Sequence, residues 1–353
     1  MNSVNRKVVL IAFCWTTFVG LHASIVFAQA PDAKPGTVKI GFLLDSFQLE
    51  RWQTDAEAFQ KRAKELGAEV ITQSAEGDDE RQLQQAEKLI DSGVKAIVLI
   101  AHDTDKASRI VNAAHAKNVP VLCYDRLVPN SNVDFFAGPD YVHVGELQAS
   151  ALVKLAPRGN YVLVEGSPVD GNARLLHQGH LKVLKPYVDR GDIHIIAESW
   201  AKDWNPAEAY ASVAQAIGSG KGEIAAVVAA NDGTAGGAIQ ALEENKLAGK
   251  VVVSGQDADL AAIIRILNGT QVMTIYKPLG PLAAKSAEAA VKLARGQSVN
   301  APDVISDGKK NVPAYLLVTV VVTRDNIMQT VIKDGFQNLE TIKKSVAPDK
   351  WPK

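Results

Sequence analysis

Ten side chains with hydrogen-bonding or stacking chemistry stand just behind short apolar runs: Arg51 and Trp52, Asp125 and Arg126, Asp170 and Asn172, Trp204, Asn231, Asp257 and Lys277. Asp45 and Asp232 occupy equivalent places. Carboxylates accept hydrogen bonds from hydroxyls, Arg and Lys donate to them, and Asn does both. Tryptophan covers the apolar C–H faces of a ring while charged partners satisfy its polar rim. The set therefore suits a neutral polyol, such as a pyranose, better than a charged ligand. A site that pairs every hydroxyl rejects analogues, because a missing group leaves a buried partner unpaired. Singly, the residues have plainer readings. Asp125, Asp232 and Asp257 could be helix caps or Asx turns, and Trp52 lies on an apolar helical stripe. Trp204, in the loop Lys202-Asp-Trp-Asn-Pro206, and Arg126, directly behind an apolar strand, are harder to place that way. The set carries the reading.

Other chemistries lack a residue they need. His177 and His180 are one helical turn apart but have no third ligand, and read as a solvated helix face. Gly218-Ser-Gly-Lys-Gly222 lacks both the leading glycine and the trailing Ser/Thr of a phosphate loop. Gly166-Ser-Pro168 reads as a turn, and neither a dinucleotide fingerprint nor a nucleophile elbow is present. No catalytic residue, cofactor or metal is expected.

The elements that must position the set alternate in type. Val38–Leu44 reads as a strand, followed by Trp52, Ala56, Phe59, Ala63 and Leu66, one face of a helix stopped by Gly67. Strands at Glu69–Gln73, Ala96–Ile100, Val119–Tyr124 and Val133–Ala137 follow, with helices over Asp79–Ser92 and Asp105–Lys117. A second series has strands at Tyr161–Val164, Ile193–Glu198, Ala225–Ala229 and Val251–Ser254, with helices near 172–186, 206–218, 233–245 and 259–267. Such alternation implies right-handed crossovers and parallel sheets, hence α/β architecture with two doubly wound lobes. Ligands of such sheets bind beyond the carboxyl ends of the strands, where the ten residues fall. Gln271–Tyr276, Pro278–Arg295 and the long β-rich run Val312–Thr323 are surplus to a simple tandem, so some of them are expected to complete the first lobe. The tail from Asn326 is expected to be partly ordered at best.

The chain has 353 residues, 47% hydrophobic and 22% charged, as expected for an ordinary globular protein of about two domains. Its 38 basic and 39 acidic residues argue against a sequence-independent grip on nucleic acid. Arg6 and Lys7, the apolar stretch Val8–Phe27 and Ala28-Gln29-Ala30 have the layout of a secretory signal cleaved after Ala28. An uncleaved anchor is the alternative. Removal of residues 1–28 takes Cys14 away, leaving Cys123 in an apolar strand as a small buried hydrophobe.

Longer words in the sequence are also distinctive: Leu49-Glu-Arg-Trp-Gln53, Tyr124-Asp-Arg126, Val144-Gly-Glu-Leu-Gln-Ala149, Gly166-Ser-Pro-Val-Asp170, Asn231-Asp232, Ser254-Gly-Gln-Asp-Ala-Asp-Leu-Ala261 and Tyr276-Lys-Pro278. Through them, from about Val38 to about Val322, the chain resembles the periplasmic sugar-binding proteins of ABC transporters, ribose/galactose class, and within that class the branch that takes D-xylose. The resemblance implies a type I periplasmic binding fold with a three-crossing hinge. Residues 37–140 plus 276–308 would form the first lobe, 141–275 plus 309–330 the second, and 331–353 a tail. It places ligand contacts on the same ten residues, with Trp52 and Trp204 enclosing the sugar ring. It further implies a non-catalytic, monomeric periplasmic receptor for a monosaccharide, D-xylose first and glucose, ribose or arabinose as alternatives. An ABC permease is the expected partner, and a chemoreceptor is a further partner left open. Gly171, where the family can have Asn, and the longer tail depart from the pattern. Two competing readings are a periplasmic carbohydrate-active enzyme using Asp125 and Asp257, and a regulator with the same core. The regulator would need a helix-turn-helix where this chain has its signal.

Overall fold

The computed structural model describes residues 36–47, 49 and 51–351; the expected signal segment lies outside them. The first series runs β1 (Val38–Leu44), α1 (Arg51–Glu65), β2 (Ala68–Ser74), α2 (Asp79–Asp91), β3 (Ala96–Leu99), α3 (Ser108–Ala116), β4 (Val121–Tyr124) and β5 (Phe135–Gly138). The second runs α4 (Tyr141–Leu155), β6 (Gly159–Glu165), α5 (Gly171–Asp189), β7 (Ile193–Trp200), α6 (Pro206–Gly218), β8 (Ile224–Ala229), α7 (Asp232–Glu244), β9 (Val252–Val253) and α8 (Leu260–Asn268). The remainder comprises β10 (Thr274–Tyr276), α9 (Leu279–Ala294), β11 (Asp303–Ser306), β12 (Asn311–Leu316), β13 (Val320–Val322) and α10 (Leu339–Ser345).

These strands form a seven-stranded sheet, β11-β12-β5-β4-β3-β1-β2, and a four-stranded sheet, β7-β6-β8-β9. Every pairing in both is parallel except β11 with β12. Helices cover both faces of the first sheet. Trp52, Ala56, Phe59 and Ala63 of α1 pack with Leu282, Ala283 and Ala287 of α9 on one face. Leu89 and Ile90 of α2 and Ile110 and Val111 of α3 pack on the other. Each sheet reverses its strand order beside its first strand, β1 and β6 respectively. Crevices at such switch points open at the carboxyl ends of the strands. Cys123 is fully buried, and burial pushes its thiol up to about 12, so it is a packing residue.

Three expectations are corrected. The run Val312–Thr323 is two strands: β12 pairs parallel with β5 in the first sheet, and β13 pairs antiparallel with β10. Residues 311–316, expected with the second lobe, thus extend the first sheet, and the chain crosses at Leu317–Thr319. Periodicity missed the break because the connecting residues Leu317, Val318 and Thr319 include no Gly, Pro, Asn or Asp to mark a turn. The tail is ordered: Ile327, Val331, Ile342 and Val346 are buried against Ile263, Ile266 and Leu267 of α8. His177 and His180 are no solvated face. Both place Nδ1 3.0 Å from one oxygen of buried Glu165, and His180 Nε2 lies 2.9 Å from Gln148 Oε1. Sequence reading also missed α4 and β11.

The tail thus finishes the apolar cover of α8. Ile342→Ala is expected to cost about 2–4 kcal/mol, the usual range for truncating a fully buried aliphatic side chain. A fall in the urea midpoint with unchanged slope measures it; an unchanged midpoint would show the tail to be dispensable.

Candidate functional site

All ten residues singled out from the sequence line one cavity between the lobes. Arg51 and Trp52 open α1 behind β1, and Asp125 and Arg126 follow β4. From the second lobe, Asp170 and Asn172 stand at the start of α5, Trp204 in a single helical turn after β7, Asn231 as the cap of α7, and Asp257 behind β9. Lys277 follows β10 where the chain returns to the first lobe. Leu49, Tyr141 and Gln256 also line the cavity and were not picked out. Tyr141 stands three residues past β5, so a strand-end search carried one strand further would have found it. Gln256 and Leu49 lie inside words already noted for their neighbours. Asp45 and Asp232 are buried but lie off this wall.

The cavity's charges are nearly all paired and buried. Arg51 Nη2 lies 2.8 Å from Asp125 Oδ2, its Nε 3.0 Å from Asp55 Oδ2, and its Nη1 3.7 Å from Asp257 Oδ1. Arg126 joins Asp45 through Nη1 and Asp170 through Nε, each at 2.8 Å, and Lys277 Nζ lies 2.7 Å from Asp257 Oδ1. Tyr141 donates to Asp125 Oδ1 at 2.7 Å, Asn172 Nδ2 donates to the same oxygen at 3.1 Å, and Tyr124 donates to Asp55. The guanidinium carbon of Arg51 sits 4.3 Å over the Trp52 ring, a cation–π contact.

These neighbours set protonation. Burial raises Asp125, but Arg51 and Lys277 outweigh it and hold the carboxyl below its ordinary range. Burial dominates at Asp170, which Arg126 only partly offsets, so that carboxyl is raised. Asp170 has one cation beside it and the like charges of Asp125 and Asp45 nearby.

Pairing by distance does not exhaust the hydrogen-bonding capacity. Among the described residues, ten buried side-chain polar atoms lack an aligned hydrogen-bond partner. Six belong to residues of this cavity; Arg51 Nη2, Asp125 Oδ2, Arg126 Nε and Asp257 Oδ1 are held in the ion pairs above, which leaves Trp52 Nε1 and Gln256 Oε1. Buried polar groups are normally satisfied, so these two atoms stand out on the cavity wall.

The backbone is also under tension here. Asp125, Asp203, Trp204, Asp257 and Ala258 have φ of 66°, 53°, 59°, 106° and 57°. Each costs about 1–3 kcal/mol and persists only when the surroundings over-determine it. For Trp204 the determinants are visible: its Nε1 donates to Asp170 Oδ2 at 3.1 Å, and its ring lies on Gly166. A Cβ on Gly166 would fall 2.2 Å from the ring. Gly166→Ala is therefore expected to displace the Trp204 indole, which is buried, into water. A red-shifted tryptophan emission with the secondary structure intact is the readout, and an unshifted spectrum would contradict this packing.

With this geometry in place, similarity to known proteins becomes informative. The chain is 45% identical over 326 residues to the D-xylose-binding periplasmic protein of Haemophilus influenzae, covering 92% of this chain and 97% of that one. It is 48% identical over 299 residues to the D-xylose-binding periplasmic protein of Escherichia coli, covering 85% and 91%. A carbohydrate transporter solute binding protein from Chloroflexus aurantiacus, solved in complex with D-glucose, superposes with a TM-score of 0.81 at 27% identity, covering 89% of this chain and 99% of that chain. Residues 40–298 match the family model of the periplasmic binding protein domain, and the chain belongs to that family.

Proposed function

We propose that this protein is the periplasmic receptor of a sugar ABC transporter, binding D-xylose between its lobes and presenting it to the membrane permease. The observation that carries the reading is one cavity that gathers two tryptophans with buried carboxylates, two guanidinium groups and an ammonium, and on which Trp52 Nε1 and Gln256 Oε1 have no hydrogen-bond partner. A neutral pyranose supplies hydroxyls for those atoms and C–H faces for the indoles. Hydrogen bonds to charged groups contribute about 1.5–3 kcal/mol each, so a few suffice for tight capture. The identity of the sugar rests on the two relatives named for D-xylose. All ten contact residues are assigned to the ligand on this reading, with Trp52 and Trp204 on the two faces of the ring.

The competing enzyme reading needs a carboxylic acid that holds a proton near neutrality and a partner that does not. Asp125 is pushed the wrong way for the acid, and Asp257 is engaged by Lys277 at 2.7 Å. No helix among the described residues is long and apolar enough to cross a membrane, in keeping with a receptor that works beside its permease.

Closure of the lobes has its own contacts outside the cavity. Thr104 N–H donates to the Val169 carbonyl at 3.1 Å, and Gly171 N–H donates to Thr104 Oγ1 at 3.0 Å. Arg174 reaches Asp105 Oδ1 at 2.8 Å. The family departure at Gly171 therefore falls on the seam between the lobes. Ligand drives closure only through its differential affinity for the closed form, so seam contacts add to it without touching the sugar.

Two measurements test this. D-xylose at a hundredfold excess over its Kd should stabilise the protein by about 2.7 kcal/mol and quench tryptophan fluorescence. D-xylose should be recovered chemically unchanged, and Trp204→Ala or Asp170→Ala should abolish the response. Responses to ribose, galactose or arabinose without one to xylose would sink the assignment, as would turnover of labelled sugar. Separately, Arg174→Ala should weaken the affinity several-fold with the order of sugar preference retained. An altered order would mean that Arg174 contacts the ligand directly.

A further inference from the structure

We propose that Asp232 is the positioning residue for Asp257, tying the 255–259 loop to α7 and to the segment leading into β10. The proposal rests on the cleft being a sugar site and deepens that reading. It concerns a residue that lies off the cavity wall.

Asp232 is 1% exposed and begins α7, which is already capped by Asn231 and Thr234. Its carboxylate is turned instead onto the loop. Oδ2 accepts the Asp259 amide at 3.0 Å and the Thr274 hydroxyl at 2.8 Å, while Oδ1 accepts Gln271 Nε2 at 2.8 Å. Its own amide donates to the Gln256 carbonyl at 2.8 Å, and Arg265 Nη2 donates to its carbonyl at 2.8 Å. One buried side chain thus gathers three segments that are distant in sequence. The same hydroxyl of Thr274 accepts the Ala258 amide at 3.1 Å, closing the knot around the bend.

The loop needs that restraint. Asp257 and Ala258 are consecutive non-glycine residues with φ of 106° and 57°, a left-handed pair that relaxes unless it is held. Gly255 shows how closely Asp232 approaches: a Cβ there would lie 2.1 Å from Asp232 Oδ1 and 2.3 Å from Gln271 Nε2. What the loop presents to the cavity is the Asp257 carboxylate, 2.7 Å from Lys277 Nζ and 3.7 Å from Arg51 Nη1. A turn of Asp257 would therefore misplace two cationic donors as well as the acceptor itself. Small misplacements of fixed polar groups cost affinity because the ligand's hydroxyls then lose their partners.

The test uses the full-length protein carrying Asp232→Asn, with Thr274→Val as a second variant that removes the two bonds of the Thr274 hydroxyl and leaves the Asp259 and Gln271 contacts of Asp232 in place. In ligand-free protein, amide hydrogen exchange over 255–259 should accelerate at least tenfold in Asp232→Asn, with β8 and α4 keeping their protection. D-xylose affinity should fall at least tenfold in Asp232→Asn and several-fold in Thr274→Val. Unchanged exchange in 255–259 would overturn the proposal. So would affinity within twofold of the unmodified protein, or loss of protection spread evenly over the second lobe. Should Asp232→Asn not fold, Thr274→Val decides by the same two readouts. If the unmodified protein binds no monosaccharide, the receptor reading fails alone, and the exchange measurement still decides whether Asp232 holds the loop.

Discussion

Two guanidinium groups, one ammonium and their carboxylate partners are buried together between the lobes, and the rest of the molecule is arranged so that this is affordable. Taking charges out of water costs several kcal/mol per ion, and pairing restores it only with good geometry and additional hydrogen bonds. The chain meets that condition by drawing partners from both lobes. Arg126 of the first meets Asp170 of the second, and Arg51 lies between Asp125 of its own lobe and Asp257 of the other. Asp55, Tyr124, Tyr141 and Asn172 complete the shell. Strip any one side of a pair and an uncompensated charge remains.

Parallel α/β architecture makes such a cluster feasible. Every strand of a parallel sheet ends on the same edge, so each βα turn delivers a polar side chain to a common line. Two sheets facing one another across the hinge then offer two such lines. Tension in the backbone at Asp125, Trp204 and Asp257 shows that the turns are bent to aim these groups. The stable sheets and apolar layers behind them hold that conformation. Trp52 Nε1 and Gln256 Oε1, which have no hydrogen-bond partner, belong to residues that line the same cavity. A preorganised site of this kind loses little freedom on binding, which favours both affinity and selectivity.

The regions beyond the cleft serve the same end. β12 in the first sheet and β13 beside β10 carry the chain back across the hinge, and the tail covers α8 directly behind the 255–259 loop. The seam between Thr104 and the start of α5 joins the lobes without using the cavity. Asp232 supports the loop, and Thr104 and Arg174 join the lobes, from outside the cavity wall, while Arg51 and Arg126 on the wall also pair across the lobes.

Much of this was legible in the sequence because it follows from short-range pattern. Period-3.6 stripes such as Trp52-Ala56-Phe59-Ala63 and glycine stops such as Gly67 mark helices, apolar runs mark buried strands, and parallel order sends the polar residues behind them to one edge. That logic, with the shared words of the family, reached ten of the thirteen residues of the cavity wall. It did not reach Leu49, Tyr141, Gln256, the inward turn of His177 and His180 onto Glu165, or the split of Val312–Thr323 between two sheets. Those outcomes depend on which distant groups meet. A strand-forming run looks the same whichever sheet takes it, and a histidine on a helix looks the same whether water or a buried glutamate faces it. Local sequence determined the elements and the edge on which the polar groups stand. Only the tertiary structure decided which charges pair across the lobes, because pairing is a property of distances between segments far apart in the chain.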